Sequence, residues 1–253
     1  FVVDRRLTAD ARRDLLARAL VVVLSQDQAH RSLDRAQGRV EPHHERARAR
    51  EPVGEAERAR VVVDGERASI KSKHFAFSEP AVRQAMALVA DRQGIQDFIY
   101  GRTGTATANF LNNPSRFRSP NNKFEFNTDK ANAILEAAGW KKGADGIREK
   151  GGKKLKFVYQ TSVNALRQKE QAVVKQGAQK AGIELELKSV TASVFFSSDV
   201  ANPDTYGKFW ADMQMYTTTM TQPDPERFMD QYTSWAVSSK ANKWQGRNIC
   251  RWI

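Results

Sequence analysis

Leu155-Lys156-Phe157-Val158-Tyr159-Gln160 and, further on, Ile183-Glu184-Leu185-Glu186-Leu187-Lys188 decide the architecture of this chain. Leu155, Phe157 and Tyr159 alternate with other residues in the first run, and Ile183, Leu185 and Leu187 do so in the second. A period of two predicts half-buried strands. Between them, residues from about 164 to 181 read as one long helix that ends at Gly182. Strand, helix and strand in this order predict a βαβ unit with parallel strands, and hence the α/β class.

The same signals extend outward. Ser78, two residues before Pro80, is placed to cap a helix. Val82, Ala85, Met86 and Val89 then fall at i, i+3, i+4 and i+7, one buried face. Ile95, Phe98 and Ile99 predict a second helical stretch, closed by Gly101. Asn127 or Thr128 caps a third, with Ala131, Ile134, Leu135 and Ala138 as its stripe and Gly139 as its stop. Asp145-Gly146 and Gly151-Gly152 punctuate a hairpin. A last strand is expected around Phe209–Tyr216 and a helix from Pro225 to Trp235.

The chain changes character near Ile70. Of its 253 residues, 1–69 contain no Lys, Asn, Ile, Met, Tyr, Trp or Cys, and Phe1 is their one aromatic. The missing types include those with A/T-rich codons, and the abundant ones mostly have G/C-rich codons. This bias predicts a wrong or antisense reading frame of a G/C-rich gene, joined to the proper frame near Ser69–Lys71. Resequencing across the junction tests it; a continuous, intended frame would sink the idea. The alternative is an irregular or helical Arg/Glu-rich arm, with Leu15, Leu16, Ala19, Leu20 and Val23 on one face. So few large apolar residues predict poor packing there. The division is therefore 1–69, an Arg/Ala/Val-rich segment, and 70–253, a folded α/β unit.

The formal net charge of +12 raises the question of a nucleic-acid partner. Up to Ile70 the net charge is only +2, because 12 acids nearly cancel 14 Arg. The rest of the chain carries +10, mostly as scattered Lys. Lys150, Lys153, Lys154 and Lys156 flank the Gly-Gly turn and read as a solvated hairpin. No nucleic acid is expected as partner, and an Arg-rich arm that binds one is the alternative function.

Catalytic and metal chemistry find no constellation. The single cysteine, Cys250, allows no disulfide within the chain, and no Cys/His cluster has metal-ligand spacing. No cofactor is expected. After Ile70 the only histidine is His74, and no nucleophile elbow or phosphate loop accompanies it. Asp224 and Glu226 stand at a helix start, where acids complement the helix dipole. His43-His44 reads as incidental. No apolar run approaches the roughly 18 residues of a membrane span. Leu20–Leu24 is too short and too surrounded by charge to make a convincing signal peptide.

The unusual stretch is Met213-Gln214-Met215-Tyr216-Thr217-Thr218-Thr219-Met220-Thr221-Gln222, which leaves a predicted strand and runs to Pro223-Asp224-Pro225. Hydroxyls, an amide and thioethers at a strand's C-terminal end suit a small-molecule cleft. β-branched Thr that merely extends the strand is the other reading. The ligand-contact candidates are Tyr216, Thr217, Thr218, Thr219, Thr221 and Gln222, with Thr105 and Asn109 in a loop after the second helix.

Phe77-Ser78-Glu79-Pro80-Ala81-Val82-Arg83-Gln84-Ala85, followed by Ala90-Asp91-Arg92, resembles a signature of the extracellular solute-binding proteins of family 5. Asn127 through Trp140, Ala181 through Leu187, and Asp224-Pro225 match further family motifs in order. The resemblance covers about residues 70–253. It implies one lobe of a bilobed, periplasmic-binding-protein type II-like fold, a mixed sheet flanked by helices. It further implies the substrate-binding component of an ABC importer, without enzymatic activity, which hands a small solute to an inner-membrane permease. Location would be periplasmic or extracellular. Family members are roughly twice this length, so the chain is expected to be a truncated form. Many peptide binders of the family carry Trp-x-x-Asp ahead of the Asp-Pro; here Thr218 and Thr221 take those places. A neutral Thr cannot supply a charge-assisted bond to a ligand's ammonium. An opine-like, sugar-like or capped peptide ligand then stands beside a peptide.

Overall fold

A computed structural model of the chain describes residues 69–251, except Ser72 and Asn112. The Arg/Glu-rich arm and the His43-His44 pair lie outside the described residues. In chain order come helices α1 (Pro80–Val89), α2 (Arg92–Ile95) and α3 (Thr128–Ala137). A small meander follows, β1 (Lys141–Lys142), β2 (Arg148–Lys150) and β3 (Lys153–Lys154). Then come β4 (Lys156–Ser162), α4 (Ala165–Lys180), β5 (Glu184–Val190), α5 (Ala192–Phe195), β6 (Met213–Met215) and α6 (Glu226–Met229).

The βαβ reading holds. Strand β4 pairs in parallel with both β5 and β6, in the order β5-β4-β6. The antiparallel pairing sits apart, in the meander. Helix α4 makes the crossover, and Asn164 caps it by accepting from the Leu166 and Arg167 amides. Gly182 follows at φ +76°, the left-handed stop that a side chain disfavours.

Strand β4 departs from the half-buried expectation, because Val158 and Gln160 are buried as well as Phe157 and Tyr159. A central parallel strand is covered on both faces. Phe157 and Tyr159 join a core with Val174 and Ala178 of α4 and Met213 and Met215 of β6. On the other face Val158 packs with Ala211, and the Gln160 amide donates to the Asp204 carbonyl at 2.8 Å.

Helix α1 buries the expected Val82, Ala85, Met86 and Val89. Its cap differs from expectation. Glu79 is the N-cap residue and makes no side-chain cap bond, while the Ser78 hydroxyl donates to the His74 carbonyl. Glu79 instead accepts from the Trp140 indole at 3.1 Å and from Lys150. Phe98 is 91% exposed, because the chain widens into a π turn over Gln96–Tyr100 and turns that side chain outward. Asn127 caps α3 as expected.

Two terminal elements are shorter than the pattern predicts. The last strand is confined to Met213–Met215: Phe209 has φ +51°, and Asp212 uses its carboxylate to accept the Val158 amide at 2.8 Å. The helix expected over Pro225–Trp235 stops at Met229 and gives way to 3-10 turns. There Gln231 Nε2 and Thr233 Oγ1 donate to nearby backbone carbonyls, which competes with a continuing helix.

Candidate functional site

Strands β4 and β6 run in parallel, so their C-terminal ends emerge side by side. The Thr161 hydroxyl donates to the Met215 carbonyl at 2.7 Å and locks the two ends together. Just beyond, the chain from Tyr216 to Gln222 lines a cavity of about 290 Å³. The structure thus brings Tyr216, Thr217, Thr218, Thr219, Thr221 and Gln222 together on one site. Ligand sites of open α/β sheets lie at this end of the strands.

Helix α4 supports the wall. Arg167, in its first turn, donates through Nη1 to Thr217 Oγ1 at 3.0 Å and through Nη2 to Ser162 Oγ at 3.1 Å. One guanidinium therefore spans the ends of both strands. Behind the threonines, Phe195, Tyr206 and Tyr216 form an aromatic group with centroids 5.7 to 6.3 Å apart. Burial pushes the Tyr216 hydroxyl well above the ordinary tyrosine range, so it stays protonated.

Asp224 also lines the cavity, and its Oδ1 accepts the Glu226 amide at 2.8 Å, as expected of an acid at a helix start. Sequence reading missed Phe196, Tyr206, Arg227, Phe228, Gln231 and Arg247, which also line the cavity. They come from separate irregular segments with no shared periodicity.

Thr105 and Asn109 line a second cavity, of about 420 Å³, with Arg118, Lys123 and Phe124. They are not brought to the threonine site. The Asn109 side chain bonds the Ser119 amide, the Ser119 carbonyl and the Asn122 amide group, so it shapes its own loop. Phe110 of that loop stacks on Phe228 at 4.8 Å and meets Tyr232 edge-on at 4.7 Å.

His74 has a structural setting. Its Nδ1 accepts from the Ala76 and Phe77 amides, and its Nε2 donates to Asp212 Oδ1 at 3.0 Å. Asp212 in turn holds β4, so the pair ties the segment before α1 to the sheet. Among the described residues no group of three or more His, Cys, Asp or Glu could hold a metal ion. No described helix is long and apolar enough to cross a membrane. Three of the four hairpin lysines are paired, Lys150 with Glu79, Lys154 with Asp145 and Lys156 with Glu184, while Lys153 lies over the Phe75 ring.

A parallel α/β sheet with a hydroxyl-rich cavity at its strand ends is the arrangement seen in ligand-binding α/β proteins. The sequence pattern of bacterial extracellular solute-binding proteins, family 5 Middle, matches residues 38–240, and the chain belongs to that family. The match begins upstream of the Ile70 boundary that the motifs suggest. The oligopeptide-binding protein AppA of Bacillus subtilis is 34% identical over 124 residues, 47% of this chain and 23% of that protein. A probable ABC transporter-binding protein of Deinococcus radiodurans is 32% identical over 119 residues, 45% of this chain and 20% of that one. NikZ from Campylobacter jejuni, solved with Ni(L-His), superposes with a TM-score of 0.52 at 20% identity, covering 71% of this chain and 34% of its own. NikA from Brucella suis, solved with Fe(III)-EDTA, gives 0.51 at 23% identity and the same coverages. These likenesses establish the type II periplasmic-binding-protein fold. The chain matches well under two thirds of the length of each of these relatives.

Proposed function

We propose that this chain forms the solute-contacting part of the substrate-binding component of an ABC importer, and that it acts without catalysis. The observation that carries the reading is the threonine wall, Thr217 to Thr221, facing a cavity at the ends of β4 and β6. A solute captured there would pass to a membrane permease on the periplasmic or extracellular side. The relatives named for oligopeptide binding and ABC transport support this reading. The nucleic-acid alternative draws no support from them, and the paired hairpin lysines leave it little free charge there.

Thr221 stands where a peptide reader of the family places an acid, which favours solutes without a free ammonium beside the wall. The test is intrinsic fluorescence titration of the purified chain with short peptides, their N-acetylated forms, and opine-type and sugar solutes. Saturable binding that Thr217→Val and Thr219→Val weaken supports the reading. Binding unaffected by both substitutions, or tight binding that depends on a free amine, contradicts it.

A further inference from the structure

The cavity has a charge sense. Its lining holds two guanidinium groups, Arg227 on α6 and Arg247 from the C-terminal segment, against one carboxylate, Asp224. Asp224 already accepts the Glu226 amide. Arg247 is placed by Nη1, which donates to the Arg227 carbonyl at 2.6 Å, so the two basic residues are held as neighbours. That bond leaves the other Arg247 donors and the whole Arg227 guanidinium without a carboxylate among the described residues.

We infer that the solute is an anion, a small organic acid whose carboxylate is held by Arg227 and Arg247 while the threonine hydroxyls take its neutral polar groups. This rests on the cavity being the ligand site. The physical reason is differential. A guanidinium offers a planar fork that matches a carboxylate with two parallel bonds. Both arginines are well hydrated in the open cavity. A neutral solute filling it would strip that water without replacing the lost interactions, whereas a carboxylate replaces them. The arginines therefore select by rejecting neutral solutes as much as by attracting acids. A free ammonium meets like charge at Arg227 and Arg247, and only Asp224 attracts it.

The test uses matched solute pairs that differ only in charge: N-acetylglycylglycine and its amide, succinate and succinamide, glucuronate and glucose. Titration of the purified chain at low salt should show the acid of at least one pair binding about tenfold or more tighter than its neutral partner. Arg227→Gln and Arg247→Gln should each reduce that preference about tenfold, and Arg227→Lys should recover part of it. Thr217→Val should weaken both members of the pair alike. Circular dichroism melting of each variant separates loss of binding from loss of fold. Neutral members that bind as well as the acids, or a preference that survives both Gln variants, overturn the anion assignment and leave the cavity as a ligand site. No binding by any member overturns the cavity reading along with it.

Discussion

Arg167 Nη1 donates to Thr217 Oγ1 at 3.0 Å, and the same guanidinium reaches Ser162, so one side chain of helix α4 fixes the ends of two strands and the first threonine of the cavity wall. Arg167→Met keeps the apolar stem and deletes both bonds. Two side-chain hydroxyls lose a charged donor in a partly buried setting, worth about 1–3 kcal/mol together. The expected result is a lower urea midpoint with an unchanged slope, and faster amide exchange over residues 217–219. Exchange that stays at the parent rate would show that the wall stands without Arg167.

The sequence made one part of this site legible and hid the other, for physical reasons. The threonine run is contiguous, and a strand-end position is visible from periodicity alone, so Tyr216 to Gln222 are legible as candidates in the sequence. Arg227, Arg247 and Tyr206 reach the cavity through tertiary turns that no local pattern encodes. The βαβ unit was readable because Gly182, Asn164 and the alternating strands all agree. Burial of Val158 and Gln160 was not, since a second covering layer built from irregular chain leaves no mark on β4 itself. Local bonding decided the broken helix after α6, where Gln231 and Thr233 turn back on the backbone.

Gly177 sits where α4 passes α1, and a Cβ there would overlap the Val89 carbonyl oxygen. Two effects oppose each other in Gly177→Ala. Helix propensity favours Ala by about 1 kcal/mol. Overpacking against backbone costs about 1–3 kcal/mol, and Val89, inside the core, has little room to yield. Net destabilisation is expected, read as a fall in melting temperature. A rise would mean that the two helices separate freely.

Arg148 is buried on the meander and donates to the Ala181 carbonyl at 2.9 Å, the Trp140 carbonyl at 2.5 Å, Asn132 Oδ1 at 2.8 Å and Glu136 Oε2 at 2.6 Å. It thereby closes the chain just past α3 and α4. Glu136 is half exposed, so its share is small. The orphaned carbonyls dominate, and Arg148→Met should cost about 2–4 kcal/mol. That loss should persist in ~1 M salt, where exposed pairs are screened. A loss that vanishes in salt would assign it to Glu136 instead.

Glu170 lies fully buried on α4, where it accepts from the Tyr100 hydroxyl through Oε1 while Oε2 finds no partner. Burial raises its carboxyl from 4.5 to about 7, against the opposing pull of the Tyr100 bond and of Arg167. Below the unfolded value the folded and unfolded chains are both protonated, and the group's full contribution to stability is present. Between about pH 4.5 and 7 the unfolded chain ionises first, so stability falls as pH rises, by about 3 kcal/mol across the window. Glu170→Gln keeps the shape and an acceptor for Tyr100 but cannot ionise. Urea midpoints measured from pH 4.5 to 7.5 should decline for the parent chain and flatten for the Gln variant. An equal slope in both would place the proton linkage on another group and remove Glu170 from the account.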